Sequence, residues 1–277
     1  RAKGMGIVGA AFGLGFILGP ALAGLLSHGA NVQLTVGLAA ASFSFLDLLL
    51  AAAVLKESLT PELKASAGDR GRRLERMAAA LRHPIIGLPV VLFFIVTVAW
   101  SQLEPTAARL AQERFHFSAP QTGYMFAYLG LVVALIQGGF VGRIVKRTGE
   151  APLLLVGTVL LGLGLALVPF ASGTGGLYGV LTLLGAGQAL TVPSLYSLVS
   201  RATAADQQGG TLGVTQGFSS LARAVGPALG GWLFGLRFAF PFWFGAALMA
   251  AAFLLATRVA AAASPHRPDL GVQSAGR

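Results

Sequence analysis

A chain of 277 residues that is 55% hydrophobic and only 11% charged is not built for water, since soluble domains carry about 25% charged residues. Its net charge of +10 would suggest nucleic acid on a soluble protein; here the basic residues stand between apolar runs, where membrane sidedness accounts for them, and no nucleic-acid partner is expected. Cysteine is absent, which excludes a disulfide framework, and the four histidines, His28, His83, His116 and His266, are scattered without ligand spacing, so no metal site is expected.

The chain opens at Arg1 with no initiator Met and no leader segment, so it is expected to be a piece that begins within a longer protein. Its first apolar stretch, Gly6 to Gly24, is rich in glycine and broken by Gly19-Pro20. In water such a helix is poor, because each interior Gly costs about 1 kcal/mol relative to Ala and Pro about 3. In a bilayer it makes sense, because small residues let neighbouring helices approach closely. On a helical wheel Gly6, Gly9, Gly13, Pro20 and Gly24 fall on one side and Ala11, Gly15, Gly19 and Ala23 on the other. A helix thinned on both sides is expected to lie between two neighbours.

Eight membrane spans are expected, at residues 5–27, 33–55, 84–104, 120–141, 151–171, 176–199, 210–235 and 238–258. When Lys and Arg are assigned to alternate sides, Arg109, Arg114 and Arg237 alone fall on one side, and Arg223 lies inside a span. The remainder fall on the other side, which puts both ends of the chain in the cytoplasm. Residues 1–56 form the first two spans, 57–83 a polar cytoplasmic linker, 84–259 a six-span bundle and 260–277 a cytoplasmic tail. Within the linker, residues 70–82 read either as an amphipathic surface helix or as a solvated charged segment.

An internal repeat follows. With an offset of 207 residues, Gly6, Gly15, Gly19-Pro20, Ala21-Leu22 and Gly24 overlay Gly213, Ala222, Gly226-Pro227, Ala228-Leu229 and Gly231. The spacing of Gly6, Gly15, Gly19-Pro20 and Ala23-Gly24 resembles the antiporter motif in the fifth helix of the major facilitator superfamily, with Ala23 standing where Gly is usual. Gly142-Arg143-Ile144-Val145-Lys146-Arg147-Thr148-Gly149 resembles that superfamily's basic cytoplasmic loop motif, although Lys146 occupies its acidic position and the charge-relay role does not carry over. Phe45 to Leu48, Lys56 to Leu59, Ser101 to Glu104, Gln137 to Gly139, Val192 to Ser194 and Leu221 to Arg223 are similar to later helices of the 12-span drug-proton antiporters that include tetracycline exporters.

The resemblance implies an all-α membrane protein with a partial major facilitator fold: helices five to twelve, lacking helices one to four of the same protein. It further implies proton-coupled export of a small amphipathic substrate by alternating access, a bacterial inner-membrane location, and a monomer when complete. The driving force would be the proton gradient, with no cofactor. Import or uniport of sugars or metabolites, and a truncated chain that transports nothing, are the alternatives. No phosphate-binding loop, nucleophile elbow or close carboxylate pair appears, so no enzyme is expected.

Residues with candidate chemistry are few. Arg223 lies near mid-span, where a cation costs roughly 2.5 to 3.5 kcal/mol on insertion scales, so it is expected to face protein or water. Gln216, Ser219, Arg223, Gly226 and Gly230 are expected on one helical face. Arg223 reads as a gating or packing residue, or as one that couples to substrate or proton. Asp47 is either a hydrogen-bonding residue or a proton carrier; Glu104, before Pro105, is either an interfacial cap or part of the external mouth. Gln137, Gln188 and Thr191, with Trp100, Phe126 and Tyr128, are candidates for lining a cavity.

Overall fold

The computed structural model describes residues 15, 18–27, 31–54, 87–201, 203 and 208–263. Gly6, the linker at 57–83 and most of the tail lie outside them. The described chain is helical, with α1 at residues 18–26 and α2 at Val32–Val54. A second series comprises α3 (Gly87–Ser101), α4 (Leu103–Phe115), α5 (Ala119–Ile136), α6 (Gly142–Thr148) and α7 (Glu150–Leu167). It ends with α8 (Gly173–Arg201), α9 (Gln208–Leu236) and α10 (Phe240–Ala263).

Local chemistry explains the interruptions. Pro105 has no N–H to offer the Ser101 carbonyl four residues back, and the helical run breaks between them at Gln102, which separates α3 from α4. At the other end of α4, His116 is left-handed with φ 55°, and the Phe117 N–H returns to the Ala111 carbonyl at 3.0 Å, so the last turn is closed through a left-handed residue that is not glycine. Ser118 then starts α5 through a capping box, its N–H meeting Gln121 Oε1 at 2.8 Å. Between α6 and α7 the chain turns at Gly149, whose φ of 80° explains why glycine stands there.

Two expectations change. Gly142 to Thr148 is not a loop: α5 continues through a π-helical turn at Gln137–Val141 into α6, because nothing before Gly149 breaks a helix. The extra residue in the π turn loosens the hydrogen-bond ladder, and Arg143 Nη1 donates to the Gly139 carbonyl at 2.9 Å. Six helical runs among the described residues are long and apolar enough to span a membrane, against the eight expected. Of the first expected span only Gly15 and residues 18–27 are described. The seventh is present as α9, but its glycines, hydroxyls, Gln216 and Arg223 leave it less apolar than the others.

The second series is one bundle. α7 lies between α8 and α10, α3 packs on α9 and α10, α8 meets α5, and α4 lies along α9. Leu92, Leu103, Met125, Leu129, Leu184, Phe242 and Met249 are buried at its centre. By contrast α2 buries none of its residues within the chain, and Leu34, Phe43, Leu48 and Leu50 are all exposed. Exposed apolar area on this scale suits a helix covered by lipid or by other transmembrane segments rather than by water.

Glycine sets how close the helices come. A methyl group on Gly157 of α7 would stand 2.4 Å from Thr191 Oγ1, and one on Gly187 of α8 would stand 2.6 Å from the Leu161 amide nitrogen. Gly226 of α9 is just as tight: a methyl there would lie 2.1 Å from Ser101 Oγ and 2.9 Å from the Val98 carbonyl. Gly231, which belongs to the same sequence motif, has nothing within 4 Å. Replacing Gly226 by Leu should therefore destabilise the fold by about 1–3 kcal/mol or more, the usual cost of overpacking, while Gly231→Leu should leave it unchanged; thermal unfolding in detergent distinguishes them.

Candidate functional site

One strip of α9, comprising Ser219, Ala222, Gly226 and Gly230, is buried against α3 and α4. Ser101 Oγ reinforces it by donating to the Ala222 carbonyl at 3.1 Å. A helix turns 100° per residue, so Arg223 points away from that strip and is exposed, as are Gln216 and Ser220. The expected single face thus splits: Ser219, Gly226 and Gly230 pack, while Gln216 and Arg223 stay open.

Arg223 of α9 lies within electrostatic range of side chains on two other helices, without forming an ion pair to either. Its guanidinium is near enough to Glu104 of α4 and to Tyr196 of α8 to act electrostatically on both. Both of those side chains are also exposed on the bundle surface, and the Tyr196 ring meets Phe93 edge-on with centroids 4.8 Å apart. Farther along α8, Tyr178 lies on the same helical line as Tyr196, since 18 residues make five turns. Its ring meets Tyr128 of α5 at 4.8 Å, and the Tyr128 hydroxyl is hydrogen-bonded to Thr182 Oγ1 at 2.7 Å. The α8 face between α5 and α9 therefore carries phenols and hydroxyls at two levels.

The other candidates are placed as follows. Gln188 is half-buried with its Oε1 enclosed and without a hydrogen-bond partner. Gln137 is half-buried at the start of the π turn. Thr191 is buried and donates to its own helix at the Gly187 carbonyl, 2.7 Å away, so it serves the α7–α8 contact. Trp100 lines an apolar hollow inside the bundle with Val96, Leu161, Leu184 and Met249, which has no room for a water molecule. Phe126 also packs on the core. Asp47 is exposed on α2. Lys146 and Arg147 project from α6 with Arg143, and Gly142 meets nothing within 4 Å. Among the described residues no group of His, Asp and Glu could hold a metal ion.

The two thinned sides of the first helix behave differently. Pro20 and Gly24 meet α5: a methyl on Gly123 would lie 2.6 Å from Gly24 Cα and 2.9 Å from the Pro20 carbonyl. Gly15 and Gly19, on the opposite side, have nothing within 4 Å. The matched residues of α9 reverse this pattern, with Gly226 tight and Gly213 and Gly231 open, while Pro227 is half-buried. The contact between α1 and α5 sits at the ends joined to residues 27–31 and 116–118.

Sequence reading missed several residues. Gly123 is one glycine among 38 and has meaning only once Gly24 is seen opposite. Glu150, at the first position of α7, is 7% exposed and accepts a hydrogen bond from Ser197 Oγ at 2.9 Å, a placement that the helix N-terminus favours. Gln102, 1% exposed, donates through Nε2 to the Pro241 carbonyl at 2.9 Å. A glutamine amid an apolar run just before Glu104-Pro105 was the available signal.

The sequence profile of the Major Facilitator Superfamily matches residues 1–223 and 139–274. The chain belongs to the major facilitator superfamily. It is 33% identical to Major facilitator superfamily domain-containing protein 10 of Bos taurus over 275 residues, which cover 86% of this chain and 56% of that protein. It is 29% identical to the class C tetracycline resistance protein of Escherichia coli over 229 residues, covering 83% and 57%. The crystal structure of the human organic anion transporter MFSD10 (TETRAN) superposes with a TM-score of 0.71 at 29% identity, covering 92% of this chain and 63% of that one. The chain thus spans a little over half the length of the curated relatives it matches. The superfamily consists of membrane transporters, not enzymes, and the apolar helical runs fit an integral membrane protein.

The Gly24–Gly123 contact makes a direct prediction. Gly123→Val should force α1 and α5 apart at that end, so that a cysteine placed at Ser27 reacts faster with a membrane-impermeant maleimide. Gly19→Val should leave the rate unchanged; the absence of native cysteine makes the labelling specific.

Proposed function

We propose that this chain forms the greater part of a secondary transporter that exports small amphipathic compounds against proton flow by alternating access. The observation that carries the reading is that Arg223, Glu104 and Tyr196 are all exposed on membrane-spanning helices, with Arg223 in electrostatic range of the other two. Charged groups at membrane depth are costly in lipid and face a water-filled path or another protein surface. An apolar wall with a few polar groups suits amphipathic compounds of varied shape. The tetracycline resistance protein among its relatives supports export. In this proposal Arg223 holds the polar part of the substrate and Glu104 exchanges the proton.

The excess of Lys and Arg on one side supports placing both ends of the chain in the cytoplasm, and the tetracycline resistance protein of Escherichia coli among its relatives favours a bacterial inner membrane. The Gly24–Gly123 contact then lies at the external end and seals that side in the conformation seen here. Residues 1–56 would belong to one bundle, 57–83 to the linker and 84–259 to the other bundle, and the remaining wall of the path would come from further helices of the same protein. A second reading is favoured by the exposed guanidinium and by the solved human relative described as an organic anion transporter: Arg223 would bind an organic anion directly.

Reconstitution of the full-length protein in proteoliposomes carrying a pH-sensitive dye tests both. Addition of tetracycline should move protons in the direction opposite to the drug, and Arg223→Gln should lower the rate roughly tenfold, the loss of one charged contact. A fluorescent organic anion moved in preference to tetracycline would select the second reading. Neither compound moving, with the protein correctly folded, would count against transport by this path.

A further inference from the structure

Each of three helices carries a proline close in sequence to a residue that Gln102 meets or to Gln102 itself. Pro105 breaks the α3–α4 run at Gln102, Pro227 removes a hydrogen bond from the middle of α9 next to Gly226, and Pro241 lies in the first turn of α10. Helices bend most readily where the backbone ladder is already interrupted. Gln102 joins all three places. Its backbone and Cβ fill the space left by Gly226 and Gly230 of α9, whose added methyl groups would lie 3.3 Å from Gln102 N and 2.8 Å from Gln102 Cβ respectively. Its amide enters α10, where Nε2 donates to the Pro241 carbonyl at 2.9 Å and a methyl on Gly245 would lie 2.6 Å from that nitrogen.

Two features set this amide apart from ordinary packing. The side chain is 1% exposed, yet its Oε1 has no hydrogen-bond partner among the described residues, and a buried acceptor left unpaired is costly where an apolar residue of the same shape would not be. Glutamine here is therefore a poor choice for stability alone. Its neighbours, moreover, are polar groups at the same break: Thr106 Oγ1 donates to the Gln102 carbonyl at 2.7 Å, and Ser101 Oγ donates to the Ala222 carbonyl at 3.1 Å. Small changes in the bend can redistribute these bonds without opening the core.

We propose that the Gln102 amide is a pin that couples bending at the α3–α4 break to α9 and α10, making Gln102 a positioning residue for the conformational change. It touches no substrate. The proposal rests on the transport reading above and deepens it by naming where the bundle flexes.

Two variants of the full-length protein attack the pin from opposite sides. Gln102→Met keeps the length and bulk and removes both polar atoms; Gly245→Ala keeps the glutamine and displaces its amide from Pro241. Three quantities are read in proteoliposomes and detergent: tetracycline-driven proton movement, melting temperature, and the exchange of a cysteine at Ser27 between maleimide-reactive and protected states. The expected result is a melting temperature for Gln102→Met equal to or above that of the parent, with turnover and cysteine exchange both slowed roughly tenfold, as for hinge variants whose motion limits the rate. Gly245→Ala should slow exchange similarly. Parental turnover and exchange in a folded Gln102→Met protein would overturn the pin. If the parent protein moves no protons with tetracycline, the transport reading fails separately, and cysteine exchange alone decides: slowed in Gln102→Met supports the pin, unchanged overturns it.

Discussion

Apolar side chains gain little by leaving lipid for protein, so transmembrane helices hold together where their backbones come close enough for dense contact. In this chain glycine provides that closeness at each principal junction. Gly157 and Gly187 bring α7 against α8, Gly226 and Gly230 seat α9 on the α3–α4 break, and Gly24 and Gly123 join α1 to α5. A side chain at any of these positions would have to displace backbone, or, at Gly157, Gly226 and Gly230, side chains fixed in the core. The contacts are therefore selective, and the helix order around the bundle follows from them.

The same packing decides where polar groups go. Because the strip from Ser219 to Gly230 must face α3 and α4, Arg223 is turned to the open side of α9, toward Glu104 and Tyr196. Because α8 offers Gly187 and Thr191 to α7, its opposite side is left with Tyr178, Thr182 and Tyr196. A packed bundle with a polar outer face is the arrangement a transporter of the superfamily needs against its other half. One polar residue that remains inside, Gln102, sits at the α3–α4 break, where Pro105 interrupts the helix.

The apolar runs and their number of turns were legible because a span needs about 20 apolar residues and little else. The pairing of Gly24 with a neighbour was legible too, since a helix thinned on both sides asks for partners. Which glycines of a motif pack was not: Gly226 and Gly231 look equivalent in the repeat, and what separates them is that the chain from Val98 to Gln102 lies against the first and not the second. The basic motif at Gly142 to Gly149 reads as a loop by charge but is helical because its residues tolerate a helix up to Gly149. Gln102 was hidden for a different reason. Its significance comes from Gly226, Gly230 and Gly245, all more than 120 residues further along.

A glycine contact holds α1 and α5 together at one end, and the proposed transport cycle requires them to part there. Distances between paired spin labels measure this directly; this chain contributes no cysteine of its own, and any cysteine elsewhere in the full-length protein is replaced by serine first. With labels at Ser27 and Ser118 in the full-length protein, the resting state should give a single short distance. A transmembrane pH gradient with drug present should add a second, longer population, and Gly123→Val should populate it without either. A single short distance that neither the gradient, the drug nor the substitution alters would contradict the account.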